Sequence, residues 1–211
     1  MRRTIVLLAA ASLAACASTN ETQAVSSMKE AREAVSTGDF DRADASARHA
    51  LDLRPGFIDA MMLLAAIAEE RHDWEEARRR YREVLTNDPT DTSAGVAIGV
   101  TYVKTGQFDE GRDWFLKAID SDPGYEAAAY NLGSVYEQLN DLDAAVAWFD
   151  ISSTLDRRDP RALTRIAAIR LGQNRPKDAL DAADAALRRW PQSQSAQALR
   201  ARALEALGGR K

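Results

Sequence analysis

Apolar residues along this chain recur every three to four positions, in segments separated by short polar turns. That spacing places the apolar side chains on one face of an α-helix. The segments come in pairs, for example 92–105 and 109–121, and a Gly, an Asn or once His72 stands between the two members. Gly and Asn tolerate the left-handed conformation that commonly ends a helix. The pattern predicts an all-α chain built from antiparallel helical hairpins.

The hairpins repeat with a period of 34 residues, which is visible in three independent series. The series are Pro55, Pro89, Pro123, Arg157 and Pro191; Gly38, His72, Gly106, Asn140, Asn174 and Gly208; and Ala43, Ala77, Gly111, Ala145 and Ala179. A fixed period of this length is the signature of stacked helical repeats. The register gives five repeats, at 24–57, 58–91, 92–125, 126–159 and 160–193, followed by a capping helix and tail at 194–211.

The fourth repeat carries the clearest motif. It has Leu132-Gly133 and Tyr136 in its first helix, then Ala145 and Phe149 in its second. These residues resemble the tetratricopeptide repeat (TPR), in which Leu-Gly and Tyr are followed by Ala and an aromatic residue. The resemblance covers nearly the whole chain after residue 24. It implies a right-handed α-solenoid of five hairpins and a capping helix, eleven helices in all, with a polar last helix that keeps the stack soluble.

Composition agrees with a folded helical array. The 211 residues are 45% hydrophobic and 28% charged, which is enough apolar material for one ordered domain or a short repeat array. The formal net charge is −4, with both signs interspersed, and this argues against a nucleic-acid partner. The single cysteine excludes an internal disulfide, so packing alone must hold the fold.

Residues 1–15 have the features of a bacterial signal peptide. A basic start is followed by an apolar run that is shorter than the roughly 20 residues needed to span a bilayer. The run ends in Leu13-Ala14-Ala15-Cys16, which resembles the lipobox of bacterial lipoproteins. The resemblance implies lipidation of Cys16, and Ala17 in place of Asp favours the periplasmic side of the outer membrane. The alternative is an ordinary secretory leader that leaves Cys16 as a free thiol.

Between the lipobox and the first repeat, residues 17–23 are mostly polar and predict a tether. At full extension the tether would reach about 25 Å, using 3.3 to 3.6 Å per residue. The repeats would therefore work close to the membrane surface.

The sequence predicts no enzymatic activity, no cofactor and no metal site. Catalysis needs a nucleophile, an acid–base pair or a metal cluster that converges in space. The two histidines are His49, within a predicted helix, and His72, in a turn position. The chain contains no paired cysteines, no zinc-binding HExxH, no Walker loop and no GxSxG motif.

If the repeats stack as in the TPR family, the first helix of each repeat lines a groove for a protein or peptide partner. An apolar floor favours an amphipathic helix or an extended peptide, held by burial worth about 25 cal/mol per Å². The alternative for each residue is ordinary helix packing. The apolar candidates are Met28, Met62, Val96, Val100, Val103 and Tyr130.

Three polar residues at one edge of the groove resemble part of the carboxylate clamp with which some TPR proteins hold a peptide C-terminus. They are Asn131, Arg161 and Arg165. The rest of the clamp is absent, because Val96 and Val100 occupy its Lys and Asn positions. This argues against chaperone-tail recognition and leaves an anion contact as a hypothesis.

A TPR array with a lipid anchor resembles the lipoproteins of pilus assembly, and in size and organisation the TadD family of the Tad (Flp) pilus. The resemblance implies a membrane-anchored scaffold that binds a secretin or a pilus component. Three alternatives stay open. The first is a pilotin-like chaperone for a type IV pilus secretin, and the second is an adaptor that presents substrates to a periplasmic protease or a cell-wall enzyme. The third is a structural subunit of an outer-membrane assembly complex.

Overall fold

A computed structural model of the chain describes residues 2–208, with side chains described from residue 19 onward. The helices are α1 (Arg2–Ser36), α2 (Phe40–Leu53), α3 (Ile58–Glu70), α4 (Trp74–Asn87), α5 (Thr92–Lys104), α6 (Phe108–Ser121), α7 (Glu126–Gln138), α8 (Leu142–Leu155), α9 (Arg161–Gly172), α10 (Pro176–Arg189) and α11 (Gln194–Gly208). The predicted all-α class of TPR hairpins, with eleven helices over the described range, is confirmed. The starts of α3, α5 and α7 are also the first residues of the second, third and fourth repeats in the 34-residue register.

The helices form two compact units, Met1–Thr101 and Tyr102–Lys211, whose boundary lies within α5. In the first unit α1 packs on α2, α2 on α3, and α3 on α4. In the second unit each helix from α6 to α10 packs on the next helix in the chain, and α9 also contacts α11. Much of each core is alanine, and Ala47 and Ala50 of α2 are fully buried against Met28 and Leu64. Such small side chains let neighbouring helix axes approach closely.

Each hairpin turns through one residue in the left-handed conformation. The φ angles are +76° at Gly38, +57° at His72, +80° at Gly106, +61° at Asn140 and +58° at Asn174. The amide of the next residue then closes the helix, as when Asp73 donates to the Ala68 carbonyl at 2.9 Å. This bond is the one that ends a helix in a Schellman motif. The predicted left-handed exit is confirmed at these five positions.

An aspartate cap begins the second helix in three of the five repeats. The side chains of Asp39, Asp73 and Asp141 accept from the backbone N–H three residues further on, at 3.0, 3.1 and 3.1 Å. Each bond satisfies a donor that the first turn of a helix leaves without an intrahelical partner. The equivalent residues Gln107 and Arg175 make no side-chain cap bond.

The first helix is longer than the repeat register requires, because α1 runs without a break from Arg2 to Ser36. The predicted tether at 17–23 is therefore helical rather than extended, and at 1.5 Å per residue it spans about 10 Å. The lipobox residues Leu13, Ala14, Ala15 and Cys16 lie outside the residues whose side chains are described. Within the described part of the chain, no helix has the length and apolar character needed to cross a membrane.

Candidate functional site

The first unit holds an open cavity of about 520 Å³ at the start of the repeats. One face of α1 forms its long wall, and the chain entering α3 forms the other side. The lining includes Val25, Met28, Lys29 and Arg32 of α1, together with Phe57 and Asp59. Val25 is 53% exposed, so an apolar side chain is available to a partner here, whereas Met28 is only 3% exposed. We call this space the first cavity.

A second cavity of about 330 Å³ lies further along the same two helices. Val35 of α1 faces Leu63 and Ala66 of α3 across it, and Phe40 of α2 completes the apolar lining. The two cavities give α1 and α3 a shared surface with apolar recesses. Such recesses are the usual sites for the anchoring side chains of a bound segment.

Arg32 and Asp59 connect α1 to α3 beside the first cavity. Arg32 Nη2 lies 2.6 Å from Asp59 Oδ2, and both side chains are more than half exposed. A second pair, Lys29 with Glu33 at 3.9 Å, lies along α1. The charges at the rim therefore balance, and apolar contact rather than net charge would favour a partner in this cavity.

In the second unit, Tyr130 lies between an aromatic ring and an arginine. Its ring meets Phe149 edge to face, with the centroids 5.3 Å apart, and the Arg161 guanidinium lies 4.9 Å from its centroid. Arg161 also donates to Asp159 at 2.5 Å, and this hydrogen bond raises the pKa of Arg161 above its ordinary value. Tyr130 is half-buried, so it offers a partner less open surface than Val25 does.

Arg165 is paired within the chain as well. Its Nε donates to Glu137 at 3.0 Å, and its Nη2 donates to the same carboxylate oxygen. Both arginines of the hypothesised anion contact thus have carboxylate partners, and the third residue, Asn131, is half-buried on α7. A carboxylate from another molecule would have to compete with Asp159 and Glu137.

The other apolar candidates differ in accessibility. Val96 is only 7% exposed, so ordinary helix packing describes it better than a groove floor. Met62 and Val100 in the first unit, and Val103 in the second, are half-buried. The 34-residue register places Val25 at a groove position of the first repeat, and among the apolar residues that line the first cavity it is the most exposed.

The described residues hold no cluster of His, Cys, Asp and Glu suited to a metal ion. His72 packs against Trp74 with the ring centroids 5.4 Å apart, and His49 is exposed on α2. Neither histidine lines the two cavities between α1 and α3. What these cavities offer a partner is apolar surface with a polar rim.

Comparison with known proteins agrees with this architecture. A family model for the tetratricopeptide repeat matches residues 28–92, 96–160 and 164–209. PilF from Pseudomonas aeruginosa is similar with a TM-score of 0.77 and 20% identity, over 91% of this chain and 87% of PilF. PilW, a widely conserved type IV pilus biogenesis factor, has a TM-score of 0.72 and 21% identity, over 89% of this chain and 87% of PilW.

YrrB, a TPR protein with an unusual peptide-binding site, is similar with a TM-score of 0.61 and 18% identity, over 83% of this chain and 90% of YrrB. No curated protein matches the sequence. Repeats of this kind bind protein or peptide partners, and proteins built from them are generally non-enzymatic scaffolds. Because the family model matches most of the chain, the protein belongs to the tetratricopeptide repeat family and is a helical scaffold for protein–protein interaction.

Proposed function

We propose that this protein is a lipid-anchored TPR scaffold of the bacterial envelope, which binds a protein component of a pilus or secretion system during assembly. The observation that carries the proposal is the first cavity, whose apolar lining includes Val25 and Phe57. The cavity begins a few residues after Cys16, the proposed lipidation site, so a bound partner would be held near the periplasmic face of the outer membrane. The likeness in fold to PilW, a type IV pilus biogenesis factor, supports an assembly role.

The anchor rests on the lipobox-like run Leu13-Ala14-Ala15-Cys16. Cys16→Ser removes the thiol that would receive the lipid, so this variant is expected unprocessed in the membrane or soluble in the periplasm. Fractionation of the envelope and mass spectrometry of the N-terminal peptide measure both results. A wild-type Cys16 without lipid, or a Cys16→Ser protein that is still acylated, would contradict the anchor.

Partner capture tests the cavity. Full-length protein with Cys16 intact, cross-linked in cells and purified from detergent extracts, should recover a secretin or a pilus component. Val25→Glu places a carboxylate in the first cavity and should reduce recovery about tenfold, because a bound apolar partner would desolvate that charge at a cost of more than roughly 1.4 kcal/mol. Ile151→Glu, at a comparably exposed residue of α8, is the matched control and should leave recovery unchanged. A periplasmic hydrolase recovered in place of these components would favour the adaptor alternative.

Two assembly roles, TadD-like and pilotin-like, differ in what fails when the protein is absent. A pilotin-like chaperone carries a secretin subunit to the outer membrane, so its loss should leave the secretin in the inner membrane. A secretin that is correctly placed in a strain without the protein would exclude the pilotin-like role. The pilotin-like role in a type IV pilus is kept as the second candidate because the fold is similar to that of PilW.

A further inference from the structure

The first repeat has a helical extension that the repeat fold itself does not need. Ala24 of α1 is fully buried, whereas residues 19–23 are all exposed. Since α2 ends at Leu53, the part of α1 before Ala24 continues beyond the end of its partner helix. We call residues 17–23 the strut.

The composition of the strut does not favour a helix. Four of its seven residues are Ser18, Thr19, Asn20 and Thr22, which compete with the helix for backbone hydrogen bonds. A helix this short is also marginal in water by itself. Its helical state therefore depends on continuity with α1 and on contacts with the body of the first unit.

One such contact comes from Arg54, immediately after α2. Arg54 Nη1 lies 2.9 Å from Glu21 Oε1 of the strut, and its guanidinium lies 4.4 Å from the centroid of the Phe57 ring. The backbone of Arg54 is fixed, because its amide donates to the Ala50 carbonyl at 2.9 Å. The same arginine therefore touches the strut and a residue that lines the first cavity.

We propose that Arg54 clamps residues 17–23 as a rigid helical spacer, which holds the first cavity at a fixed short distance from the attachment point at Cys16. The functional part of this inference rests on the proposed lipidation of Cys16. The strut and the long wall of the cavity are one helix, without a break between them. From Cys16 to Val25 the helix rises about 14 Å at 1.5 Å per residue. A partner would therefore bind next to the membrane and not at the end of a flexible linker.

Hydrogen exchange of the full-length protein in detergent, read by mass spectrometry on peptides covering residues 19–27, tests the clamp. The wild-type amides should exchange more slowly than in the unfolded chain. Arg54→Ala and Glu21→Gln should each speed their exchange about two- to fivefold, the range that an exposed ion pair supplies. The charge swap Glu21→Arg with Arg54→Glu should restore protection relative to either single variant. Arg48→Ala removes a 2.6 Å pair with Asp44 within α2 and is the matched control.

Wild-type exchange of residues 19–24 at the rate of the unfolded chain would overturn the spacer. Unchanged exchange in both Arg54→Ala and Glu21→Gln would overturn the clamp, and Glu21→Gln is an exposed substitution that leaves the core intact. The two proposals fail separately. If Cys16 carries no lipid the anchor is wrong, while the exchange data still decide whether the strut is rigid.

Discussion

Gly133 of α7 lies so close to the ring of Phe149 of α8 that a Cβ at residue 133 would stand 2.9 Å from the ring atoms Cδ1 and Cε1. Phe149 is fully buried, so its ring has no free space into which it could move. Gly133→Ala should therefore lower the free energy of unfolding by about 1 to 3 kcal/mol, although alanine favours a helix more than glycine does. Denaturant unfolding of the purified protein measures the change.

Gly95→Ala is the matched control for that prediction. Gly95 is also inside a helix, α5, but nothing lies within 4 Å of a Cβ built there. This variant should gain about 0.5 to 1 kcal/mol from helix propensity. Phe149→Leu combined with Gly133→Ala should cost less than the sum of the two single changes, because the smaller side chain makes room. Destabilisation of the same size at both glycines would rule out the steric explanation.

The backbone of His72 is strained, because this residue has a Cβ and adopts the left-handed conformation, with φ at +57°. His72→Gly should raise the free energy of unfolding by up to about 1 kcal/mol, since the left-handed conformation costs roughly 1 to 2 kcal/mol and the lost contact with Trp74 offsets part of the gain. His49→Gly, inside α2, should instead lower it by roughly 0.3 to 0.5 kcal/mol, the difference in helix propensity between histidine and glycine. Urea unfolding of both variants is the measurement, and a loss of stability in His72→Gly would contradict the argument.

The sequence predicts the turns well and the ionic contacts poorly, for a physical reason. A left-handed exit favours Gly or Asn at one position of the repeat, so the residue type alone predicts the exits at Asn140 and Asn174. The pairing of Arg165 with Glu137, by contrast, depends on helix offset and side-chain rotamers that a 34-residue period leaves open. The sequence does not predict the helical strut for a related reason. Its polar composition predicts a tether, and the contact between Arg54 and Glu21 joins two segments whose proximity only the folded structure shows.

Glu76 of α4 is expected to make stability depend on pH. It accepts hydrogen bonds from Arg79 at 2.6 and 2.8 Å and from Arg80 at 2.7 Å. The hydrogen bond from Arg79, reinforced by Arg80, lowers the pKa of Glu76 from 4.5 to about 2. A depressed pKa in the folded state stabilises the fold above pH 4.5, and the contribution is lost as the pH falls from 4.5 towards 2.

Solvent screening limits the size of this effect, because the Glu76 side chain is 30% exposed. Glu76→Gln should therefore lower the free energy of unfolding by about 1 kcal/mol at pH 7 and by much less at pH 2. Urea unfolding at the two pH values gives the difference. Glu30→Gln, on an exposed part of α1, is the control and should change stability little at either pH. A loss at pH 2 as large as that at pH 7 would show that the ionised carboxylate is not the cause.

Arg161 and Arg165 separate anionic from apolar recognition of the partner. Because Asp159 and Glu137 already neutralise them, replacing both arginines by alanine should change partner recovery by less than the roughly two- to fivefold that one exposed ion pair supplies. Val25→Glu should reduce recovery far more in the same cross-linking assay. Arg175→Ala, which removes an exposed pair with Asp178 on α10, controls for a general loss of positive charge. If the double arginine variant lost recovery as strongly as Val25→Glu while Arg175→Ala did not, the partner would be held by an anion contact in the second unit.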